Sequence, residues 1–357
     1  MTVLGLMSGT SFDGLDLCCV SFEKVGAYYQ YTLHDAYTQS YHPTLVSQLQ
    51  QAHLMNESEL QVLERAFDDV VLQAVTHFRS RLSKDIDLLS SHGHTVFHQP
   101  EKGITRQIGD GRRYFETLQI PVVYDFRTYD VALGGQGAPL VPIGDALLFS
   151  DYDACVNLGG ISNISYEIDQ RRVAYDIGMF NTPINDLVQP LGYAYDEDGR
   201  IGASGQVIPE LLSQLNALEY FGRNAPKSLG KEWYHHSFYP LISEASGSIP
   251  DKVTTVTTHN VIQIATVLNQ RSTEKKSANI RVLVTGGGAH NLFALKKLGA
   301  LVNENIELSV PEKQLIDYKE ALIFGFMGYL RSRNEINVYS SVTGASKDSC
   351  AGTYLNH

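Results

Sequence analysis

Gly5-Leu6-Met7-Ser8-Gly9-Thr10-Ser11-Phe12-Asp13-Gly14-Leu15-Asp16 links two apolar runs, residues 2–7 and 15–22. An apolar run, a polar glycine-containing tip and a second apolar run form the pattern of a β-hairpin. Such a tip can also carry chemistry. Glycine lets a backbone approach a phosphate, while N–H groups and Ser or Thr hydroxyls donate to its oxygens. Asp13 does not bind phosphate directly but is suited to hold Mg2+, directly or through water. Taken alone, the stretch fits a plain hairpin turn equally well.

Working outward, residues 28–37 read as a third strand. Asn56 with Glu59 makes a capping-box start, and Leu60, Leu63, Phe67, Val70, Val71, Ala74 and Phe78 follow at helical spacing. Residues 86–90 read as a buried strand leading into His92-Gly93-His94, and residues 121–124 as another. The Gly- and Pro-dense segment 133–142, LGGQGAPLVP, reads as a loop with special backbone angles, and the domain crossover is expected near it. A second series then opens in the same way. Residues 154–157 form a strand, Gly159-Gly160 a turn, residues 161–168 and 172–176 two more strands, and a helix starts near Asn181. This repetition predicts two related α/β domains facing each other across a cleft. Further on, a helix is expected over 251–271, a strand over 280–285, a helix after His290-Asn291, another capped by Asp317 with Glu320, and a loop-like tail from Ser340.

Bulk properties narrow the function. A chain of 357 residues with 43% hydrophobic and 19% charged residues suits a two-domain globular enzyme. A net charge of −11 disfavours nucleic acid as a main partner. The four cysteines, Cys18, Cys19, Cys155 and Cys350, show no C-x-x-C spacing and read as reduced thiols. No stretch approaches the ~20 apolar residues of a membrane span. Residues 1–9 lack the pattern of a signal peptide, so a cytoplasmic location is expected.

Three more motifs carry candidate chemistry. Asn157-Leu158-Gly159-Gly160-Ile161-Ser162-Asn163 is a second small-residue hairpin, and two such hairpins can grip a polyphosphate from both sides. Asp176, in Ala174-Tyr175-Asp176-Ile177-Gly178, ends a strand before a helix, where a carboxylate can accept a proton from an attacking hydroxyl or water. A helix N-cap explains Asp176 equally well. Gly286, Gly287 and Gly288, followed by Asn291, permit close approach of a base or ribose. They form neither a P-loop nor a dinucleotide fingerprint. His94 and His98 have helical metal-ligand spacing, but Thr95, Val96 and Phe97 favour a strand.

In this order the four motifs resemble the actin-like ATPase superfold. MSGTSFDGLD, SHGHTVFHQP, QIGDG, DFRTYDVALGGQGAPLVP, NLGGISNIS, APKSLGKEW, VTGGGAHN and SVTGAS together resemble the 1,6-anhydro-N-acetylmuramic acid kinase family, from about Gly5 to Ser346. The resemblance implies two actin-like (ribonuclease H-like) domains, residues 1–135 completed by 333–357 and residues 136–332, with ATP and sugar in the cleft. It implies hydrolytic opening of the anhydro ring and phosphorylation of O6 by ATP with Mg2+, giving N-acetylmuramic acid 6-phosphate. Gly9, Thr10, Ser11, Phe12, Asp13, Gly14, Leu15 and Asp16 would then form the phosphate loop, with Asp13 toward the metal. Asn157, Gly159, Gly160, Gly286, Gly287, Gly288 and Asn291 would complete the nucleotide site. Asp176 would be the base, and His92, Thr95, Asp125, Arg127, Gln136 and Asn181 would face the sugar. Arg127 suits either the lactyl carboxylate or a structural pair with Asp125. The partners implied are the small-molecule sugar, ATP and a second copy of the chain in a homodimer. One departure stands out: the family pattern D-T-G-P-G-N becomes Asp176-Ile177-Gly178-Met179-Phe180-Asn181, and Phe180 is expected to add bulk near the sugar. The competing readings are a sugar kinase of the same fold with another substrate, or an ATP-binding protein without catalysis.

Overall fold

The computed structural model describes residues 1–9, 12–275 and 279–357. Thr10 and Ser11, expected in the phosphate loop, lie outside the described residues. The chain divides into two units, Met1–Phe149 with Tyr318–His357, and Ser150–Asp317.

In the first unit, β1 (Thr2–Ser8), β2 (Leu15–Val25) and β3 (Tyr28–Gln39) form an antiparallel meander, as the opening hairpin predicts. β4 (Leu88–Gln99) and β6 (Val122–Tyr124) continue the sheet in parallel, while β5 (Ile104–Ile108) pairs antiparallel with β4. Val3, Leu4 and Leu6 of β1 are fully buried, which is why that strand reads as a nearly continuous apolar run. In the second unit, β7 (Ala154–Leu158), β8 (Ile161–Ile168) and β9 (Arg171–Met179) form another antiparallel meander. β10 (Ile280–Thr285) and β11 (Ile306–Ser309) add to it in parallel. The two sheets read β3-β2-β1-β4-β6 and β9-β8-β7-β10-β11; with β5 set aside as a hairpin extension of β4, both have the third-second-first-fourth-fifth order of a ribonuclease H-like domain. This duplication is the actin-like fold.

Glu57–Arg81 is the predicted amphipathic helix. Asn56 Oδ1 accepts from Ser58 N (3.0 Å) and Glu59 N (3.1 Å), and the Asn56 N–H donates to Glu59 Oε2 (2.8 Å), completing the capping box. Its buried face also carries a charge. Asp68 accepts from Asp110 N (3.0 Å) and Tyr114 Oη (2.7 Å), while Glu64 accepts from Gly109 N (3.0 Å). These two carboxylates hold the Gln107–Gly111 turn. Burial pushes the Asp68 carboxyl up to about 6, against the pull of Tyr114, the Asp110 N–H and Arg113.

Several expectations need correction. Residues 136–149 stay with the first unit, because Gly144 packs on Ile323, Asp145 pairs with Lys319 (2.6 Å, both buried) and Phe149 meets Tyr31. The helix expected to be capped by Asp317 begins at Lys313 and runs to Ser332. Asp317 lies inside it and binds Lys313 Nζ and His290 Nε2, each at 2.7 Å. The tail is not all loop. Ser340–Thr343 is a short helix, and β12 (Thr353–Leu355) pairs antiparallel with β6. A Thr-Tyr-Leu segment has the β-forming residues to cover that strand's open edge. The four cysteines are free thiols, and burial pushes Cys19 up to about 11. Among the described residues no helix is long and apolar enough to cross a membrane.

Two outcomes follow from this packing. A Cβ on Gly5 would collide with the Ala321 carbonyl oxygen and stand 2.9 Å from Gly325 N. Gly5→Ala should therefore cost about 1–3 kcal/mol in urea unfolding, and an unchanged midpoint would show that strand and helix separate freely. Asp68 has a folded pKa raised above 3.8. Its contribution to stability is thus fully present below pH ~4 and lost as pH rises through about 6. The stability of the protein relative to Asp68→Asn should fall by roughly 1–3 kcal/mol between pH 4 and pH 7, and a difference independent of pH would contradict the burial argument.

Candidate active site

In the first unit, the tip between β1 and β2 is closed by the Phe12 N–H donating to Gly9 O (3.3 Å). Phe12 has φ 61° and sets its ring 5.4 Å from that of His94. Asp13 is exposed at the tip. Asp16 is occupied across the sheet, where Thr38 Oγ1 donates to its Oδ1 (2.6 Å). Leu15 faces the core, and Gly14 packs on the Gln39 backbone, so these two expected ligands offer backbone only.

His92, Arg127 and the glycine block form one network. The His92 Nδ1–H donates to Gly93 O (2.8 Å), which leaves Nε2 to accept from Arg127 Nε (3.1 Å) and Nη2 (2.8 Å). Arg127 Nη1 donates to Gly137 O (2.6 Å). Burial first, and Arg127 second, hold His92 well below the usual imidazole range, so it is neutral. Burial lowers Arg127 only to about 10, with Glu320 and Asp130 pulling it up, so it stays charged. The alternative Asp125–Arg127 pair does not form. Asp125, in a left-handed conformation (φ 59°), instead accepts from Thr128 N (3.3 Å). Thr95 is half-buried and accepts from Gln107 Nε2 (3.4 Å). Gln136 has an exposed side chain, and its backbone N–H donates to Thr343 O (2.8 Å).

Asp130 is the residue that the Gly-Gly-Gln-Gly block wraps, and sequence reasoning passed over it. It is fully buried, and its oxygens accept from Gly137 N and Thr343 Oγ1, both at 2.7 Å. A side chain on Gly135 would collide with it. Glu320 was also missed, having been read as half of a helix cap. Although solvent reaches its side chain, the surrounding protein pushes its carboxyl up; Arg127 and Lys319 oppose that rise and Asp13 adds to it.

In the second unit the glycine motifs converge. A side chain on Gly286 would run into Asn157 Oδ1 and stand 2.9 Å from the Leu158 backbone. One on Gly288 would run into Phe180 and stand 2.8 Å from Leu158 Cβ. Gly287 keeps an open side, with Asn181 Nδ2 nearest at 3.7 Å. Gly159 O accepts from Asn181 N (3.1 Å) and Gly160 O from Phe180 N (2.8 Å). Asn181 Nδ2 donates to Leu158 O (3.0 Å) and is the nearest side-chain atom to the open side of Gly287, which places this residue beside the glycine cluster. Asn291 is buried and caps the helix Leu292–Leu301 through Ala294 N (2.9 Å), so its side chain is committed to that cap. Phe180 is fully buried among Leu158, Ile177 and Val284, and Met179 is 2% exposed. Their bulk enters the unit's interior, because the missing side chain of Gly288 makes room for the Phe180 ring.

Asp176 lies within β9, not at its end and not at the helix N-cap, which is Phe180. Asn163 pairs with Asp176 but Ser162 with Gly178, so Ile177 is the extra residue of a β-bulge. A bulge bends the strand and re-aims the neighbouring side chain. Asp176 Oδ2 accepts from Leu229 N (2.8 Å). Burial pushes the carboxyl up, and the Leu229 N–H opposes that rise. Among the described residues Oδ1 has no partner.

The histidine pair does not form a metal site. His94 and His98 lie on β4, not on a helix. His94 is buried against Ser8 Oγ (2.9 Å) and held down to about 4 by burial, while exposed His98 bonds Thr105 Oγ1 (3.1 Å). Among the described residues no three His, Cys, Asp or Glu side chains are grouped to hold a metal ion.

Residues 1–356 match the family described as anhydro-N-acetylmuramic acid kinase. The anhydro-N-acetylmuramic acid kinase of Aliivibrio fischeri is 34% identical over 98% of this chain and 97% of its own length. That of Gloeobacter violaceus is 34% identical over 96% of each. Among solved structures, the ADPNP-bound activator of 2-hydroxyisocaproyl-CoA dehydratase from Clostridium difficile is similar at a TM-score of 0.43 and 12% identity, covering 93% of this chain and 97% of that one. With the family matched from end to end, and relatives of that identity matched over nearly their whole lengths, this chain belongs to the anhydro-N-acetylmuramic acid kinase family.

Proposed function

We propose that this chain opens the 1,6-anhydro ring of anhydro-N-acetylmuramic acid with water and phosphorylates its O6 from ATP, giving N-acetylmuramic acid 6-phosphate and ADP. The observation that carries the reading is Asp176, a half-buried carboxylate at a β-bulge whose Oδ2 is bonded and whose Oδ1 has no partner among the described residues, in a chain that belongs to this kinase family from end to end. Water oxygen attacks the anomeric carbon, and the bond from that carbon to O6 breaks. O6 takes the γ-phosphoryl group, ADP leaves, and the water proton passes to Asp176. A carboxyl raised by burial is a better proton acceptor than an exposed one. The remaining work is positioning and charge neutralisation.

The other roles rest on the geometry of each unit. Gly9, Phe12, Asp13 and Gly14 belong to a glycine tip suited to phosphate through backbone donors, with the Phe12 N–H closing the tip onto Gly9 O. Mg2+ needs only one or two protein carboxylates beside phosphates and water, and exposed Asp13 fits that need. Bound there, the ion would neutralise charge on the transferring phosphates. Asn157, Gly159 and Gly160 form the second hairpin, and Gly287 offers the open glycine surface for a base or ribose. His92, Thr95, Asp125, Arg127 and Gln136 are assigned to the sugar. After its bonds to His92 and Gly137, Arg127 keeps N–H donors for a lactyl carboxylate. We assign the enzyme to the cytoplasm, where ATP is supplied, and expect a homodimer that acts on small molecules without nucleic acid or membrane partners.

Coupled ADP release with Mg-ATP and anhydro-N-acetylmuramic acid tests the base. Asp176→Asn should lower kcat by about 10²–10⁴-fold with ATP affinity intact, and full turnover by this variant would remove Asp176 from the role. Arg127→Lys keeps the charge but loses the planar fork. It should raise KM for the sugar about tenfold and leave KM for ATP unchanged; an equal rise for both substrates would speak for a structural role only.

A further inference from the structure

The segment from Tyr220 to Leu229 reaches Asp176 at three separate atoms. Tyr220 Oη donates to the Asp176 carbonyl oxygen (2.7 Å). The Asp176 N–H donates to Lys227 O (3.1 Å), and the Leu229 N–H donates to Asp176 Oδ2 (2.8 Å). The bulge at Ile177 interrupts the regular pairing of β9 with β8 beside Asp176. The backbone there is thus answered by the 220–229 segment.

That segment is itself braced. Tyr220 is 2% exposed, and its ring lies 5.4 Å from that of Trp233 and 5.7 Å from that of Phe221. A Cβ on Gly178 would stand 3.0 Å from Phe221, so the glycine two residues after Asp176 lets this aromatic cluster close on the strand. Phe221 packs edge-on against His259 (4.7 Å), which burial keeps neutral. The charged or titratable groups around the clasp include Lys227, Tyr175, His259, Tyr220 itself and Arg223 with its ion-pair partner Glu219. Lys227 Nζ lies 4.7 Å from the Tyr220 ring and donates to Tyr220 O (3.3 Å).

We propose that Tyr220 and the Leu229 N–H form a positioning clasp that fixes the Asp176 carboxylate through Oδ2 and presents Oδ1 to the attacking water. This rests on the reading of Asp176 as the base. A proton acceptor held at its backbone oxygen, its backbone nitrogen and one carboxylate oxygen has little freedom to rotate away, and such preorganisation acts on the chemical step rather than on substrate affinity. The Leu229 N–H bonds the charged carboxylate, so it also favours the form able to accept a proton.

The test uses Tyr220→Phe and Leu229→Pro beside Asp176→Asn, with kcat, both KM values and the pH profile of kcat/KM. Tyr220→Phe keeps the ring and its packing but loses the hydroxyl donor. It should lower kcat about tenfold with both KM values unchanged. Leu229→Pro removes the N–H donor, so the acid limb of kcat/KM should move to higher pH. Wild-type kcat in Tyr220→Phe would overturn the clasp, whether or not Leu229→Pro folds, provided Asp176→Asn is inactive. An acid limb that stays in place in a folded Leu229→Pro would overturn the Leu229 part. An active Asp176→Asn would overturn the base assignment beneath both.

Discussion

Backbone lies directly against backbone where Gly5 of β1 meets Ala321 and Gly325 of the helix Lys313–Ser332. No side chain fits there, and much of the first unit's arrangement depends on that close crossing. It draws the helix onto the central strand of the sheet. Lys319 can then reach buried Asp145, and Glu320 can face the charges of Arg127 and Asp13. The second unit uses the same device with other glycines: Gly286 and Gly288 bring the turn after β10 onto Asn157, Leu158 and Phe180. In each unit a strand of the central meander and a neighbouring element approach more closely than side chains normally allow.

Three acidic side chains, two in the first unit and one in the second, each take a backbone N–H. Asp130 takes Gly137 N, Asp68 takes Asp110 N, and Asp176 takes Leu229 N. An unanswered buried carboxylate is costly, whereas one bonded by N–H groups is tolerated and oriented. Asp130 and Asp68 spend these bonds on loop conformation. Asp176 Oδ2 is held by the Leu229 N–H, and among the described residues its Oδ1 accepts no hydrogen bond, whereas the second oxygen of Asp68 faces Arg113 at 3.7 Å and that of Asp130 takes Thr343 Oγ1.

The departure Met179-Phe180 illustrates how composition and placement differ. Read along the chain, Phe in place of Gly adds bulk beside a catalytic motif. In the fold the ring turns inward and fills the space over Gly288, about a hundred residues away in sequence. The substitution is therefore absorbed by packing, consistent with a chain that retains its family's kinase character.

The sequence alone determined the strand–glycine turn–strand order of both halves, the Asn56 capping box, the strand Ile280–Thr285 and the family, because hairpin tips, caps and apolar runs are local features. It also singled out Asp176. The tertiary structure decided which neighbours each candidate meets. Asn291 and Asn181 became a cap and a hairpin brace, Glu320 emerged from a run read as helix and Asp130 from the stretch just before the glycine-rich loop, and the partners of Asp176 came from positions 44 and 53 residues away. Spacing reports which face a residue occupies within its own element. Which distant backbone group comes to lie opposite that face is set by the packing of the whole unit, and no local pattern encodes it.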